Sequence, residues 1–129
     1  MASKYKKMID FLTSQRNMII CGHEQPDGDC LGSMLAVFHA FAGQEKNWRL
    51  VSPDAIPSYL SYLPGIDKII KPEDIDIDVE AVLILDCRSA HRTGLWISWN
   101  NIIRLISSGG ITIWYGWGQQ PGSLPALHL

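Results

Sequence analysis

Five successive apolar residues, Ala81 to Leu85, constrain the fold of this chain more than any other feature, and an acidic residue, Asp86, follows them directly. An uninterrupted apolar run of this length is typical of a strand that is covered on both faces, as in the centre of a parallel sheet. A second short run, Asn17 to Cys21, predicts another buried strand. In a sheet of this kind, functional groups gather beyond the carboxyl ends of the strands.

Segments with helical periodicity alternate with these strands. Apolar residues recur at helical spacing in Lys4 to Gln15 and again in Leu31 to Phe41. Further along the chain, Trp48 to Val51 and Lys68 to Ile70 predict short strands, and Ile56 to Leu63 predicts a short helix. The alternation predicts a doubly wound α/β domain, in which a mainly parallel sheet is flanked by helices.

The composition fits an ordinary globular domain and excludes some classes of partner. A chain of 129 residues with a formal charge of −2 has no basic excess that would attract nucleic acid electrostatically. Its apolar stretches fall far short of the roughly 20 residues that a membrane span needs. The three cysteines lack CxxC spacing and no signal peptide precedes them, so we expect reduced thiols in a cytoplasmic protein.

The segment from His23 to Ser33 carries the strongest chemical signal, and it reads His-Glu-Gln-Pro-Asp-Gly-Asp-Cys-Leu-Gly-Ser. It places one imidazole, His23, and two carboxylates, Asp27 and Asp29, in a turn between a strand and a helix. Such crowded charge is costly unless a cation offsets it. Imidazole and carboxylate ligands suit manganese, zinc or iron, and one His with two Asp favours manganese. The segment therefore predicts a manganese site.

Asp86 adds a fourth ligand from a neighbouring strand end. Because a carboxylate can bridge two cations, we expect Asp86 to lie between one metal held by His23 and Asp27 and a second metal held by Asp29. Two metals about 3.5 to 4 Å apart are the usual device for in-line attack on phosphorus. Asp27, Asp29 and Asp86 are thus the predicted catalytic carboxylates of a phosphoester hydrolase.

Four further residues are candidates for binding phosphate. Gly32 and Ser33 are expected at the start of the second helix, where free N–H groups and the helix dipole attract anions. Arg88 and Arg92 follow Asp86 closely and are placed to add cationic contacts to the same phosphate.

A structural interpretation of these residues competes with the functional one. Aspartates in a loop such as the one after His23 often cap the following helix and fix the turn. Asp86 alone is an ordinary aspartate at a strand end, and Arg88 and Arg92 alone are ordinary solvated cations. The preceding strand, the position of His23 and the Gly-Ser pair that ends the segment favour metal binding.

Two stretches of this sequence resemble the motifs of a known family. The His23 to Ser33 segment resembles the first motif of the DHH phosphoesterase superfamily, and residues 83–94, Leu-Ile-Leu-Asp-Cys-Arg-Ser-Ala-His-Arg-Thr-Gly, resemble the second. That superfamily includes RecJ exonucleases, family II pyrophosphatases, exopolyphosphatases, and bifunctional oligoribonuclease and phosphoadenosine phosphate phosphatases. The last branch is the most similar. The resemblance covers roughly residues 5 to 94.

The resemblance implies a RecJ-like N-terminal domain and a set of ligands. His23, Asp27 and Asp86 would hold the first manganese ion, and Asp29 together with Asp86 would begin the second site. The family then continues with its Asp-His-His motif, which this chain does not contain. A further aspartate ligand downstream and the C-terminal substrate-binding domain are also absent from the sequence.

The tail departs from the family pattern in its composition. From Cys87 to Leu129 there is no Asp or Glu, yet this part holds four of the five tryptophans and six of the eleven glycines. We therefore divide the chain into residues 1–94, the N-terminal part of a phosphoesterase domain, and residues 95–129, an atypical Trp- and Gly-rich tail. The tail is either a genuine divergent end or the product of a shifted reading frame after Gly94.

Two functions of different classes follow from the sequence. The first is a manganese-dependent phosphoesterase lineage that hydrolyses short oligonucleotides or nucleoside 3′,5′-bisphosphates through two metals. On this hypothesis the chain is truncated before or at the Asp-His-His motif and is weakly active or inactive. The second is a non-catalytic module that binds a metal or a phosphate, with the apolar tail docking on a partner or a second copy.

Overall fold

The computed structural model of the chain describes residues 3–86, 104–108 and 111–115, and the side chains of residues 6–86. Two helices and five strands occur in the order α1 (Ser3–Ser14), β1 (Asn17–Cys21), α2 (Gly28–Ala40), β2 (Asn47–Leu50), β3 (Ala81–Leu85), β4 (Arg104–Ser108) and β5 (Ile111–Tyr115). Three 3₁₀ turns lie between β2 and β3, at Ser58–Leu60, Ile66–Lys68 and Pro72–Asp74.

The strands form one sheet in the order β2-β1-β3-β5-β4. β1 pairs in parallel with both β2 and β3, so the predicted parallel sheet is confirmed for the first three strands. The two tail strands join the sheet beyond β3, where β5 runs antiparallel to both β3 and β4. β3 therefore lies inside the sheet, and all its residues are buried, as its uninterrupted apolar sequence predicts.

Both helices pack on the same face of the sheet. Because side chains alternate between the two faces of a strand, Met18 and Ile20 of β1 point into the core under the helices and Ile19 and Cys21 point to the other face. On that second face, within the described residues, the covering side chains come from the segment between β2 and β3: Ile70, Ile75 and Ile77. Burying an aliphatic side chain in such a core contributes roughly 1.5–3 kcal/mol.

Three of the predicted elements differ from those in the structure. The second helix begins at Gly28 instead of Leu31, because the Asp27 side chain caps it. The helix predicted from Ile56 to Leu63 is a single 3₁₀ turn, since Pro57 forces the preceding residue to be extended. The strand predicted from Lys68 to Ile70 is one isolated bridge from Ile70 to Val51.

The helices of the described residues are too short or too polar for any of them to cross a membrane.

Candidate metal centre

The strand order brings two predicted ligands to the same point of the sheet. β1 lies between β2 and β3 and runs parallel to both, so the carboxyl ends of these three strands share one edge of the sheet. The parallel register pairs Cys21 with Ile84. His23 and Asp86 each come two residues after these partners, so both side chains lie beyond the same edge of the sheet.

The orientation of the His23 ring is fixed by its own loop. Its Nδ1 lies 2.6 Å from the backbone oxygen of Glu24. A carbonyl oxygen only accepts hydrogen bonds, so Nδ1 carries the proton and donates it, which leaves a lone pair on Nε2. The imidazole side chain is only 14% exposed, and Nε2 faces Asp27 and Asp86. This is the tautomer and the orientation that a metal-binding histidine needs.

Asp27 caps helix α2 and presents an ionised carboxylate to the same point. Its Oδ1 accepts a hydrogen bond of 2.9 Å from the N–H of Cys30. That hydrogen bond holds the pKa of the Asp27 carboxyl below its ordinary value, although partial burial opposes the change. A carboxylate that stays ionised at neutral pH is ready to bind a cation.

Asp86 reaches the site through an unusual backbone conformation. Its φ angle is +54°, in the left-handed region that few residues other than glycine adopt, and aspartate is among those that tolerate it. The chain turns sharply there at the end of β3. The turn leaves Asp86 Oδ2 at 3.5 Å from His23 Nε2, while Asp27 Oδ1 lies at 3.7 Å from the same nitrogen.

The three side chains together fit a divalent cation. One ligand atom from each of His23, Asp27 and Asp86 lies within 4.8 Å of the other two. Ligand atoms about 2.1 Å from a tetrahedral or octahedral ion lie roughly 3.0–3.5 Å apart, close to the distances from His23 Nε2 to the two carboxylates. Those distances are too long for good hydrogen bonds. The distances from His23 Nε2 to the two carboxylates therefore fit shared coordination of one ion better than direct hydrogen bonds.

Sequence reasoning missed a fourth residue that supports this loop, Asp54. Gln25 has a φ angle of +50°, and its N–H donates a hydrogen bond of 2.7 Å to Asp54 Oδ2. Asp54 is itself held by the buried Ser52, whose hydroxyl donates to the Asp54 carbonyl oxygen at 3.1 Å. The available signal was the position of Ser52-Pro53-Asp54, just after β2 at the same edge of the sheet.

The remaining predicted site residues lie at different distances from this group. Asp29 occupies the first turn of α2, is exposed, and lies outside the group of three that the described residues form. Its assignment to a second metal stays a prediction. Arg88 and Arg92 lie outside the described residues, so their contact with phosphate also stays a prediction.

The predicted position of Gly32 and Ser33 at the start of the helix is wrong. Because α2 begins at Gly28, both residues lie in its second turn, where backbone N–H groups donate to carbonyl oxygens of the preceding turn. Their N–H groups are therefore not available to an anion. These positions still offer the Ser33 hydroxyl and the open space beside Gly32, where an added Cβ would meet nothing within 4 Å.

Comparison with known proteins identifies the fold. No protein-family model matches the chain. Among solved structures, the chain is similar to an exopolyphosphatase-related protein from Bacteroides fragilis, with a TM-score of 0.61 and 24% sequence identity over 72% of this chain. The chain spans 29% of the length of that protein. The likeness shows that the chain shares its α/β fold with that protein.

Proposed function

We propose that this chain carries the metal-binding part of a manganese-dependent phosphoesterase site of the DHH superfamily. The expected substrates are nucleoside 3′,5′-bisphosphates or short oligonucleotides. The observation that carries the proposal is the convergence of His23, Asp27 and Asp86 at the carboxyl edge of the parallel strands. The resemblance of the two sequence motifs and the fold shared with the exopolyphosphatase-related protein support it. We expect the cysteines of this chain to be reduced, which favours a cytoplasmic location.

Each residue has a distinct part in the proposed site. His23 Nε2 and one oxygen each of Asp27 and Asp86 would hold the first ion, and Asp29 with Asp86 would begin a second site. When bound, such ions supply positive charge that polarises a phosphoryl oxygen and lowers the pKa of water. The Ser33 hydroxyl, Arg88 and Arg92 would orient the phosphate in the open space beside Gly32.

The chain is proposed to bind manganese better than it turns over substrate. The residues that would complete a second metal site in the family, beginning with Asp-His-His, do not occur in the sequence. Without a complete second metal site, the attacking and the leaving oxygen are not both stabilised by metal charge. We therefore expect weak hydrolysis or none.

The proposal is tested by calorimetric titration of Mn²⁺ into the wild type and into the variant His23→Ala. We expect binding of about one ion by the wild type and its loss in His23→Ala. Asp78→Asn is the matched control, because it removes an exposed carboxylate that precedes β3, at the opposite end of this strand from Asp86. Equal binding by the wild type and His23→Ala would contradict the proposal, and phosphate release from a nucleoside bisphosphate measures residual hydrolysis.

A non-catalytic metal- or phosphate-binding module is the second candidate. The observation that favours it is that residues 6–86 assemble one group of three ligands, enough for a single ion. Manganese binding with no hydrolysis at any enzyme concentration would favour this module. Turnover comparable to that of an intact two-metal phosphoesterase would exclude it.

Self-association or partner docking through the Trp-rich tail is part of this candidate, and size-exclusion chromatography with and without residues 95–129 tests it.

A further inference from the structure

Gly22, between the last residue of β1 and His23, has no room for a side chain. A Cβ built on Gly22 would lie 2.1 Å from Cys30 Sγ, 3.1 Å from the Leu85 carbonyl oxygen and 3.6 Å from Met34 Sδ. Non-bonded heavy atoms in good contact are about 3.5–4.0 Å apart. The φ angle of Gly22 is not in the left-handed region, so it is space and not backbone conformation that requires glycine here.

Among the glycines from Gly22 to Gly32, the crowding is specific to Gly22. The other glycines of the same segment tolerate a Cβ, since at Gly28 it would meet only Leu60 Cδ2 at 3.8 Å and at Gly32 it would meet nothing within 4 Å. Cys30 has no exposed surface, and its sulfur lies 3.9 Å from Met34 Sδ. The thiol is therefore enclosed in the core, where close packing leaves little space for it to move aside.

Each close contact joins Gly22 to the neighbour of a proposed ligand. Gly22 itself precedes the imidazole ligand, Leu85 precedes Asp86, and the Cys30 N–H donates to the Asp27 carboxylate. The ends of two strands and the first turn of one helix thus meet at this one point. A displacement there would separate the three ligand atoms from one another.

We infer that Gly22 and Cys30 form a positioning contact that sets the spacing of the metal ligands. The missing Cβ at Gly22 lets the Cys30 thiol sit directly against the strand end, which holds the N-terminus of α2 and its cap Asp27 beside β1 and β3. The inference rests on the proposed metal-binding function, because the ligands that the contact aligns are those of that site.

The test is a double-mutant cycle on the full chain with Gly22→Ala and Cys30→Ala. Gly22→Ala should weaken Mn²⁺ binding by about tenfold or more, as disturbed support of metal ligands usually does. Cys30→Ala removes the sulfur that the new methyl group would strike, so the double variant should recover most of the lost affinity. Leu35→Ala is the stability control, because it removes core packing from the same helix without contacting a ligand. It should lower the melting temperature and keep the affinity of the wild type.

Crystal structures of the metal-free wild type and Gly22→Ala separate this inference from the proposed function. The distance from His23 Nε2 to Asp86 Oδ2, 3.5 Å in the wild type, should widen by roughly 1 Å in the variant. If the wild type binds no manganese but this widening occurs, the proposed function fails and the positioning role stands.

Unchanged distance and affinity in Gly22→Ala, or no recovery in the double variant, would overturn the inference. If Gly22→Ala does not fold, Cys30→Val crowds the same point from the helix side and should weaken binding too.

Discussion

The two sides of the candidate metal centre are built in different ways. His23 and Asp27 belong to one short loop and are held by hydrogen bonds to their close neighbours in sequence, Glu24 and Cys30. Asp86 comes from a distant part of the chain. It is positioned by the pairing of β1 with β3 and by its left-handed backbone. One side is therefore organised locally and the other by the sheet.

This difference predicts which substitution does most harm to binding. Asp86→Asn removes a ligand charge while keeping the shape and the tolerance of positive φ that Asp86 needs. Manganese affinity should fall by more than the roughly 10–100-fold that loss of an outer-shell group costs, with little change in the free energy of unfolding. Calorimetry and urea unfolding measure the two quantities. Equal losses of affinity and stability would mean that Asp86 acts through the fold and not as a ligand.

On the local side, Asp27 caps α2 and is also a proposed metal ligand, and substitutions can separate these two roles. Both Asp27→Asn and Asp27→Ala should weaken manganese binding by more than the roughly 10–100-fold that loss of an outer-shell group costs, since neither offers a carboxylate. Only Asp27→Ala should also lose about 1 kcal/mol of stability, because asparagine caps a helix as well as aspartate does. Thermal and urea unfolding of the two variants without metal checks this difference. A stability loss of similar size in Asp27→Asn would show that the charge, and not the cap, holds α2.

The same contrast explains how far the sequence predicts the fold and the site. The strands at Asn17–Cys21 and Ala81–Leu85 have strong apolar runs, and their prediction is confirmed because burial on both faces leaves a clear pattern. His23 and Asp27 were predicted from one window of sequence. Their convergence with Asp86 was expected from the general rule for parallel sheets.

Other features depend on contacts that no local pattern records. The loop sequence indicates an aspartate cap for α2 but not which aspartate supplies it; Asp27 is the cap, which moves Gly32 and Ser33 into the second turn. Asp54 supports the loop from the end of a different strand, across a hydrogen bond to backbone. The crowding at Gly22 involves a thiol on α2 and a carbonyl on β3. Packing between elements fixes these features, so they emerge only once the elements are assembled.

Asp54 offers a way to loosen the local side without touching a ligand. Asp54→Ala removes the acceptor for the Gln25 N–H and leaves that residue to hold its left-handed conformation unaided, a strain of about 1–3 kcal/mol. We expect manganese affinity to fall by about tenfold, the lower end for outer-shell groups. Asp54→Asn keeps an acceptor oxygen and should stay near the wild type. If Asp54→Ala binds as tightly as Asp54→Asn, the loop holds its own shape.

The smallest expected effect is on the pH dependence of stability in the absence of metal. The hydrogen bond from Cys30 lowers the pKa of Asp27 in the folded state below its ordinary value of 3.8. The folded state therefore binds fewer protons than the unfolded state in that window, and Asp27 contributes stability above pH 3.8 that is lost as the pH falls through the lowered pKa. Asp27→Asn has no such titration at this position. The stability difference between the wild type and Asp27→Asn, measured by urea unfolding with a chelator present, should shrink from pH 6 toward about pH 3. A difference that stays constant over this range would show that the charge of the carboxylate adds nothing to the cap, and that the local side of the centre is held by hydrogen-bond geometry alone.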